Sequence, residues 1–209
     1  MGREFHRPTR FEGHRFEAYL GAQDPAQRYA IAHETARTLV ERGREAGAEE
    51  LVDRMVAYAD EHGIDAIAEL WAASAAQSLP GALWRLYLLR ALVRQDPAAA
   101  AYAFERGVEA LATADQAIAG APSPAGPEEV AALVDLILRG AFSGDLADAL
   151  RRAAATGRIL AAGTLAEADA SDLAAPARAT AFTTRAARLS AIGDELETAA
   201  RLSQAGRLD

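Results

Sequence analysis

The chain has 209 residues, 51% of them hydrophobic and 25% charged, and 30 acidic against 22 basic residues give a net charge of −8. This composition is typical of a globular protein that buries a full core, and its acidic balance argues against a broad surface for nucleic acid. The chain has no cysteine, and every basic residue is Arg, which excludes disulfides, thiolate metal sites, Cys nucleophiles and lysine Schiff bases.

Residues 1–23 are predicted to form an extended N-terminal arm. The first ten residues, MGREFHRPTR, lack the apolar run of a secretory signal, and no stretch reaches the ~20 apolar residues of a membrane span. We therefore expect a cytoplasmic protein without membrane contact. Four aromatic residues of the arm are candidate interface residues: Phe5, Phe11, Phe16 and Tyr19. We favour docking of the arm on the chain's own core, with a neighbouring subunit as the alternative that deletion of residues 1–15 would test.

The arm also carries an excess of positive charge. In residues 3–16, four Arg against two Glu leave a local charge of +2, and three Phe are interleaved with them. Such a pattern can serve single-stranded nucleic acid. Because the arm is short and the remaining chain is acidic, we do not expect nucleic acid as a partner.

The remainder of the chain is predicted to be helical throughout, because Ala, Leu, Arg and Glu dominate and no segment alternates with period two. Asp24-Pro25 and Asp96-Pro97 predict helix starts, and Gly47, Gly63 and Gly120 predict helix ends. The predicted helices are about 25–45, 48–62, 64–77, 81–94, 97–118, 127–140, 144–163 and 176–205.

Residues 81–94 are apolar nearly all the way round, which predicts a central helix surrounded by others. The segment GAPSPAGP at 120–127 is a Pro/Gly loop that separates an aromatic-rich half, 24–119, from an Ala-rich half, 128–209. Small residues permit close helix packing, so we expect the halves to share one core. The predicted fold is an all-α, single-domain bundle of about seven to nine helices.

The central helix contains the candidate ligand pocket. Arg85 lies among apolar neighbours in LWRLYLLR, and a buried guanidinium requires either a carboxylate partner or a bound anion. An internal ion pair is the simpler interpretation. The alternative is an anion pocket lined by Trp84, Arg85 and Tyr87. Arg90 and Arg94 are predicted to mark the exposed edge of this helix.

The four histidines give no metal motif, because no two of them are spaced to meet on one helix face. His33 is predicted to be a core or interface residue, and His14 or His33 could act as an acid or base only if the pocket were enzymatic. The sequence has no phosphate-binding glycine loop and no GxSxG elbow. We therefore assign no catalytic residue, no metal and no cofactor.

Two segments, FEGHRFEAYLGAQDPAQRYAIAHETARTLVERG and SLPGALWRLYLLRALVRQDP, resemble a family of uncharacterised all-helical proteins from high-GC bacteria. Some members are labelled automatically as RNA polymerase β-subunit proteins. The resemblance implies a helical, cytoplasmic, bacterial protein and brings no catalytic motif. The label is not transferred, because this chain is far too short for that subunit and lacks its basic, glycine-rich segments.

The sequence favours a non-catalytic protein that acts through protein–protein contact, as a homodimer or an adaptor. The clustering of aromatic residues with Arg supports this, since both are enriched at interface cores. The alternative is a helical bundle that binds, or acts on, a small anionic ligand near Trp84, Arg85 and Tyr87, with His33 as a further lining residue.

Overall fold

The computed structural model describes residues 25–45, 50, 53, 71–111, 113–122, 125–171 and 175–209. Within these ranges the chain forms seven helices and no strand, which confirms the all-α fold class. The helices are α1 (Pro25–Gly43), α2 (Leu79–Gln95), α3 (Pro97–Ala110), α4 (Asp115–Ala119), α5 (Pro127–Ser143), α6 (Leu146–Ser171) and α7 (Pro176–Gln204).

Several helix starts and ends follow the predicted punctuation. The Asp96 carboxylate accepts a hydrogen bond of 2.9 Å from the Ala99 N–H and caps α3, which begins at Pro97. Pro127 and Pro176 begin α5 and α7. Gly120 ends α4 with a left-handed φ of 71°, a conformation that favours glycine.

The prediction of one helix over 97–118 is wrong. Helix α3 stops at Ala110, where Leu111 turns to extended backbone, and the short α4 follows. The hydroxyl of Thr113 donates to the Asp115 carboxylate at 2.8 Å and accepts from the Asp115 N–H at 3.4 Å. Such local side-chain bonds offer the backbone an alternative to continued helix.

The predicted helix 64–77 is also wrong at its end, since residues 72–77 form turns and bends after Trp71. The Ser78 hydroxyl accepts from the Gly81 N–H at 3.3 Å and caps α2. Gly81 packs so closely on the Ala75 carbonyl that the turn leaves no room for a side chain there. The rest of 64–77, and the predicted helix 48–62 except Glu50 and Asp53, lie outside the described residues.

A single hydrophobic core joins the helices on both sides of the 120–127 segment. Helix α2 packs against α1, α3, α5, α6 and α7, as expected of a helix surrounded by others. The most extensive packing joins α6 to α7, and α6 also packs against α3, α4 and α5. The described helices therefore form one bundle, with α2 and α6 at its centre.

Small residues bring α6 unusually close to its neighbours. A methyl group on Gly163 would overlap the Ala103 carbonyl oxygen of α3, and one on Gly107 would overlap the Ile159 carbonyl oxygen of α6. Where α6 meets α7, a methyl group on Gly157 would lie 3.4 Å from the Cα of Gly193, which is ordinary van der Waals contact. Gly107 on α3 and Gly163 on α6 thus allow the backbones of these two helices to touch.

No helix in the described part of the chain combines the length and the apolar character that a membrane crossing requires.

Candidate functional site

Three of the four predicted pocket residues, Trp84, Arg85 and Tyr87, lie on α2. The Arg85 guanidinium is bonded to partners within the protein. Its Nε donates to the Glu195 carboxylate of α7, and its Nη1 donates to the Gly81 carbonyl oxygen at 2.8 Å. The Arg85 side chain is 15% exposed and that of Glu195 is 39% exposed. An anionic ligand would have to displace Glu195 before it could pair with this guanidinium.

Tyr87 belongs to the core. Its ring lies 6.1 Å from that of Trp71 and 6.4 Å from that of Phe142, in tilted arrangements that aromatic pairs prefer. Burial raises the pKa of the Tyr87 hydroxyl to about 12, against the opposing charge of Arg90. The Tyr87 hydroxyl therefore stays protonated at neutral pH. Trp84 is half-buried and packs against the same core.

His33 lies on α1, where its ring centroid is 4.1 Å from that of Tyr29. Burial, helped by the charge of Arg37 and opposed by that of Asp209, lowers the pKa of His33. Within the described part of the protein, its buried Nε2 finds no hydrogen-bond partner. His33 is therefore a neutral, half-buried imidazole beside Tyr29, which agrees with a core or interface position.

The other predicted functional residues lie outside the described residues. These are the candidate interface residues Phe5, Phe11, Phe16 and Tyr19, together with His6, His14 and His62.

The prediction that Arg90 and Arg94 mark an exposed edge is wrong for Arg90. That side chain is only 5% exposed, and its Nε donates to the Asp135 carboxylate of α5 at 2.6 Å. Arg94 is 42% exposed and bonds the second Asp135 oxygen at 2.9 Å. Asp135 draws both guanidinium groups towards α5, so the face on which they lie is an interhelical contact.

A half-buried ionic network that was not predicted from the sequence joins α4, α6 and α7. Arg158 donates through Nε and Nη2 to the Asp115 Oδ1, at 3.0 and 2.5 Å, and its Nη1 lies 3.6 Å from the Glu197 carboxylate. Burial opposes the ionisation of Asp115, but hydrogen bonds from Arg158 and Thr113 prevail and lower its pKa. In the sequence, the only indication of this network is that Arg158 lies alone among apolar residues in TGRIL.

Among the described residues, two of the surface grooves are similar in size. One, of about 430 Å³, lies between α6 and α7, and the Arg158 in its wall is already neutralised by the network just described. The other, of about 440 Å³, lies between α3, Gln116 and residues 125–127. Trp84, Arg85 and Tyr87 line neither groove.

The second groove, hereafter the Tyr102 groove, has an apolar floor and an acidic wall. Its Tyr102 side chain is 52% exposed, and Phe104 and Val108 lie beside it. Glu105 and Glu109 supply the carboxylates of the wall. No three His, Asp or Glu side chains in the described ranges are grouped to hold a metal ion.

Comparison of the chain with protein-family models, with curated proteins and with solved structures gives no significant match. The resemblance to helical proteins of high-GC bacteria therefore stays a prediction.

Proposed function

We propose that this chain is a non-catalytic helical protein that acts through protein–protein contact, with a second copy of itself as its first partner. The observation that carries the proposal is the exposure of Tyr102 in a groove with an apolar floor. Tyrosine is enriched at interface cores, because its ring contributes apolar area while its hydroxyl tolerates water.

The internal pairing of the charged groups supports the same function. Arg85 and Arg158, two half-buried cations of the core, are each neutralised by carboxylates of other helices. An anion that binds at either guanidinium would have to displace these carboxylates, so neither group favours an anion-binding function. We still expect a cytoplasmic, bacterial protein. An anion pocket at Trp84, Arg85 and Tyr87 is the alternative function, and no described contact favours it.

Sedimentation measured over a wide range of protein concentration tests the proposal. We expect a monomer–dimer equilibrium, and we expect Tyr102→Ala to weaken the association about tenfold or more, as loss of a central aromatic side chain does. The matched control is Tyr29→Ala, because Tyr29 is 60% exposed but lies on α1. A strict monomer at every concentration would refute self-association, and equal effects of the two variants would remove the Tyr102 groove from the interface.

A further inference from the structure

The first half of α7 carries positive charge that forms no ion pair among the described residues. Residues 176–190 contain three Arg and no Asp or Glu, although acidic residues outnumber basic ones in the whole chain. In the described part of the protein, none of the three, Arg178, Arg185 and Arg188, has a carboxylate within ion-pair distance. Arg201 in the second half of the helix, by contrast, lies 4.0 Å from the Glu197 carboxylate.

Arg185 also differs from the shielded guanidinium groups of the bundle. Arg85, Arg90 and Arg158 each donate from Nε to a carboxylate of another helix. The Nε of the half-buried Arg185 is closed to solvent, yet it finds no hydrogen-bond acceptor among the described residues. A buried donor without an acceptor costs free energy, and the cost is larger on a charged group. Arg185 therefore requires an acceptor that the described helices do not supply.

Glu167, half-buried on α6, is the carboxylate on which these charges act. The charges of Arg185, Arg178 and Arg106 of α3 all reach it. Burial raises the pKa of Glu167, against the opposing charges of these three Arg. No hydrogen bond or ion pair joins Glu167 to any of them in the described ranges. A half-buried carboxylate and nearby guanidinium groups thus lie close together without direct bonds.

The two Arg of α7 in this cluster lie on one face of the helix, with an aromatic residue between them. Arg178, Phe182 and Arg185 are spaced i, i+4 and i+7, which places them on the same face. The Arg178 guanidinium lies 5.1 Å from the centre of the Phe182 ring, in a cation–π contact. Because both Arg also act on Glu167, this face of α7 borders that carboxylate.

A small oxyanion that also carries a hydrogen-bond donor matches this arrangement. The guanidinium fork pairs with carboxylate and phosphate oxygens through parallel N–H groups. Arg106 is already bonded to Glu109. Arg178 and Arg185 against an ionised Glu167 leave one positive charge, which an anionic group neutralises. Glu167 repels a plain anion but accepts a hydrogen bond from a ligand that has a hydroxyl or ammonium group as well.

We propose that Arg185 and Arg178 bind a small oxyanion ligand, a carboxylate or a phosphate, whose hydroxyl or ammonium group donates to Glu167. The site goes beyond self-association, since it requires no second copy of the chain. The Arg185 Nε is closed to solvent in this structure, so binding includes a rotation of that side chain which brings the N–H to the ligand.

Thermal unfolding of the full-length protein at constant ionic strength tests this with three probes: lactate, propionate and inorganic phosphate. Lactate and propionate differ only in the hydroxyl group that would donate to Glu167. We expect lactate, phosphate or both to raise the melting temperature in a saturable way, by about 3–6 °C at ten times the dissociation constant. Propionate should bind several-fold more weakly than lactate. A shift with lactate alone identifies a carboxylate ligand, and one with phosphate alone identifies a phosphate ligand.

Variants assign the binding to particular side chains. Arg185→Gln should weaken binding about tenfold or more, because a charge-assisted pair is lost. Glu167→Gln should remove the preference for lactate over propionate. The matched control is Arg188→Gln, which removes the same charge from an exposed position of α7 that is not among the groups acting on Glu167. It should leave binding unchanged within about twofold, and circular dichroism should show all variants folded.

Three results would overturn the proposal. The first is the absence of a saturable shift with any of the probes. The second is an equal loss of binding in the Arg185 and Arg188 variants, because a general attraction of anions to α7 would then explain it. The third is a stability cost shared by Arg185→Gln, Glu167→Gln and the double variant without any effect of the probes, which would make Glu167 itself the acceptor of the Arg185 N–H.

Discussion

Gly163 is the residue on which the α3–α6 contact depends most directly. We predict that Gly163→Ala lowers the free energy of unfolding by about 1–3 kcal/mol, because the added methyl group overlaps the Ala103 carbonyl oxygen and the two backbones must separate. Urea unfolding followed by circular dichroism measures the change.

The control is Gly140→Ala on α5. A Cβ at Gly140 has the Ala149 methyl group at 3.9 Å as its nearest neighbour, which is ordinary contact. Alanine in a helix interior is better than glycine by about 0.5–1 kcal/mol, so this variant should gain stability. Equal changes in both variants would contradict the close approach at Gly163.

Asp115 is the residue through which we expect the core to respond to acid. Burial opposes its ionisation, yet its hydrogen bonds from Arg158 and Thr113 hold its pKa below the unfolded value of about 3.9. The native state therefore binds fewer protons than the unfolded state, and this stabilisation is complete above about pH 4 and lost as the pH falls through the native pKa. Asp115→Asn should cost about 1–3 kcal/mol at neutral pH, with the difference from the original chain shrinking in acid.

Stability curves measured by urea unfolding at neutral and acidic pH check this prediction. The exposed pair Arg106–Glu109 provides the comparison, since Glu109→Gln removes an ion pair whose side chains are 44% and 58% exposed. Surface pairs contribute about 0–1 kcal/mol. A cost at Asp115 no larger than that at Glu109 would show that the half-buried network of Asp115, Arg158 and Glu197 does not stabilise the fold.

At the scale of the element, the start of α3 depends on one side chain. Asp96 accepts from the Ala99 N–H, and Pro97 follows at the first turn. We predict that Asp96→Ala costs about 1 kcal/mol of stability, because one N–H at the helix start loses its acceptor. Asp96→Asn retains a capping oxygen and should cost only a fraction of that. Thermal unfolding of the three proteins gives the order, and an Asn variant as unstable as the Ala variant would refute the capping role.

The same helix shows what the sequence can predict and what it cannot. The Asp96-Pro97 signal is local, so the start of α3 was predicted correctly. Its end at Ala110 was missed because residues 97–118 keep a helical pattern, while the turn after it depends on a Thr113–Asp115 interaction and on the pairing of Asp115 with Arg158, 43 residues away. Tertiary partners of this kind leave no local pattern.

At the candidate site, too, the sequence predicted the local features and missed those that depend on tertiary contacts. The sequence indicated that Arg85 needs a partner, but only the packing of α2 against α7 identifies Glu195. The burial of Arg90 was missed because Asp135, its partner at 2.6 Å, lies across the 120–127 segment on α5. The Tyr102 groove was not predicted at all, since it is formed by three separated parts of the chain.

At the scale of the whole molecule, the composition of the two halves is unequal, but the core is shared. Trp71, Tyr87 and Phe104 of the aromatic-rich half belong to the same buried cluster as Phe142 and Leu196 of the Ala-rich half. Ion pairs also cross the 120–127 segment, from Arg85 to Glu195 and from Arg90 to Asp135. Helix α7 thus stabilises α2 although more than 80 residues separate them in the sequence.

This shared core predicts one cooperative unfolding transition. Both tryptophans lie in the aromatic-rich half, so tryptophan fluorescence reports on that half alone. Far-ultraviolet circular dichroism reports on the helices of both halves, and α6 and α7 are the longest of those described. If the halves unfold together, the two signals have the same urea midpoint. Leu196→Ala, which opens a cavity at a fully buried position on α7, should lower both midpoints equally and cost about 2–5 kcal/mol. A fluorescence midpoint that stays in place while the dichroism midpoint falls would show that the halves are separate domains, because the tryptophans would then not depend on α7.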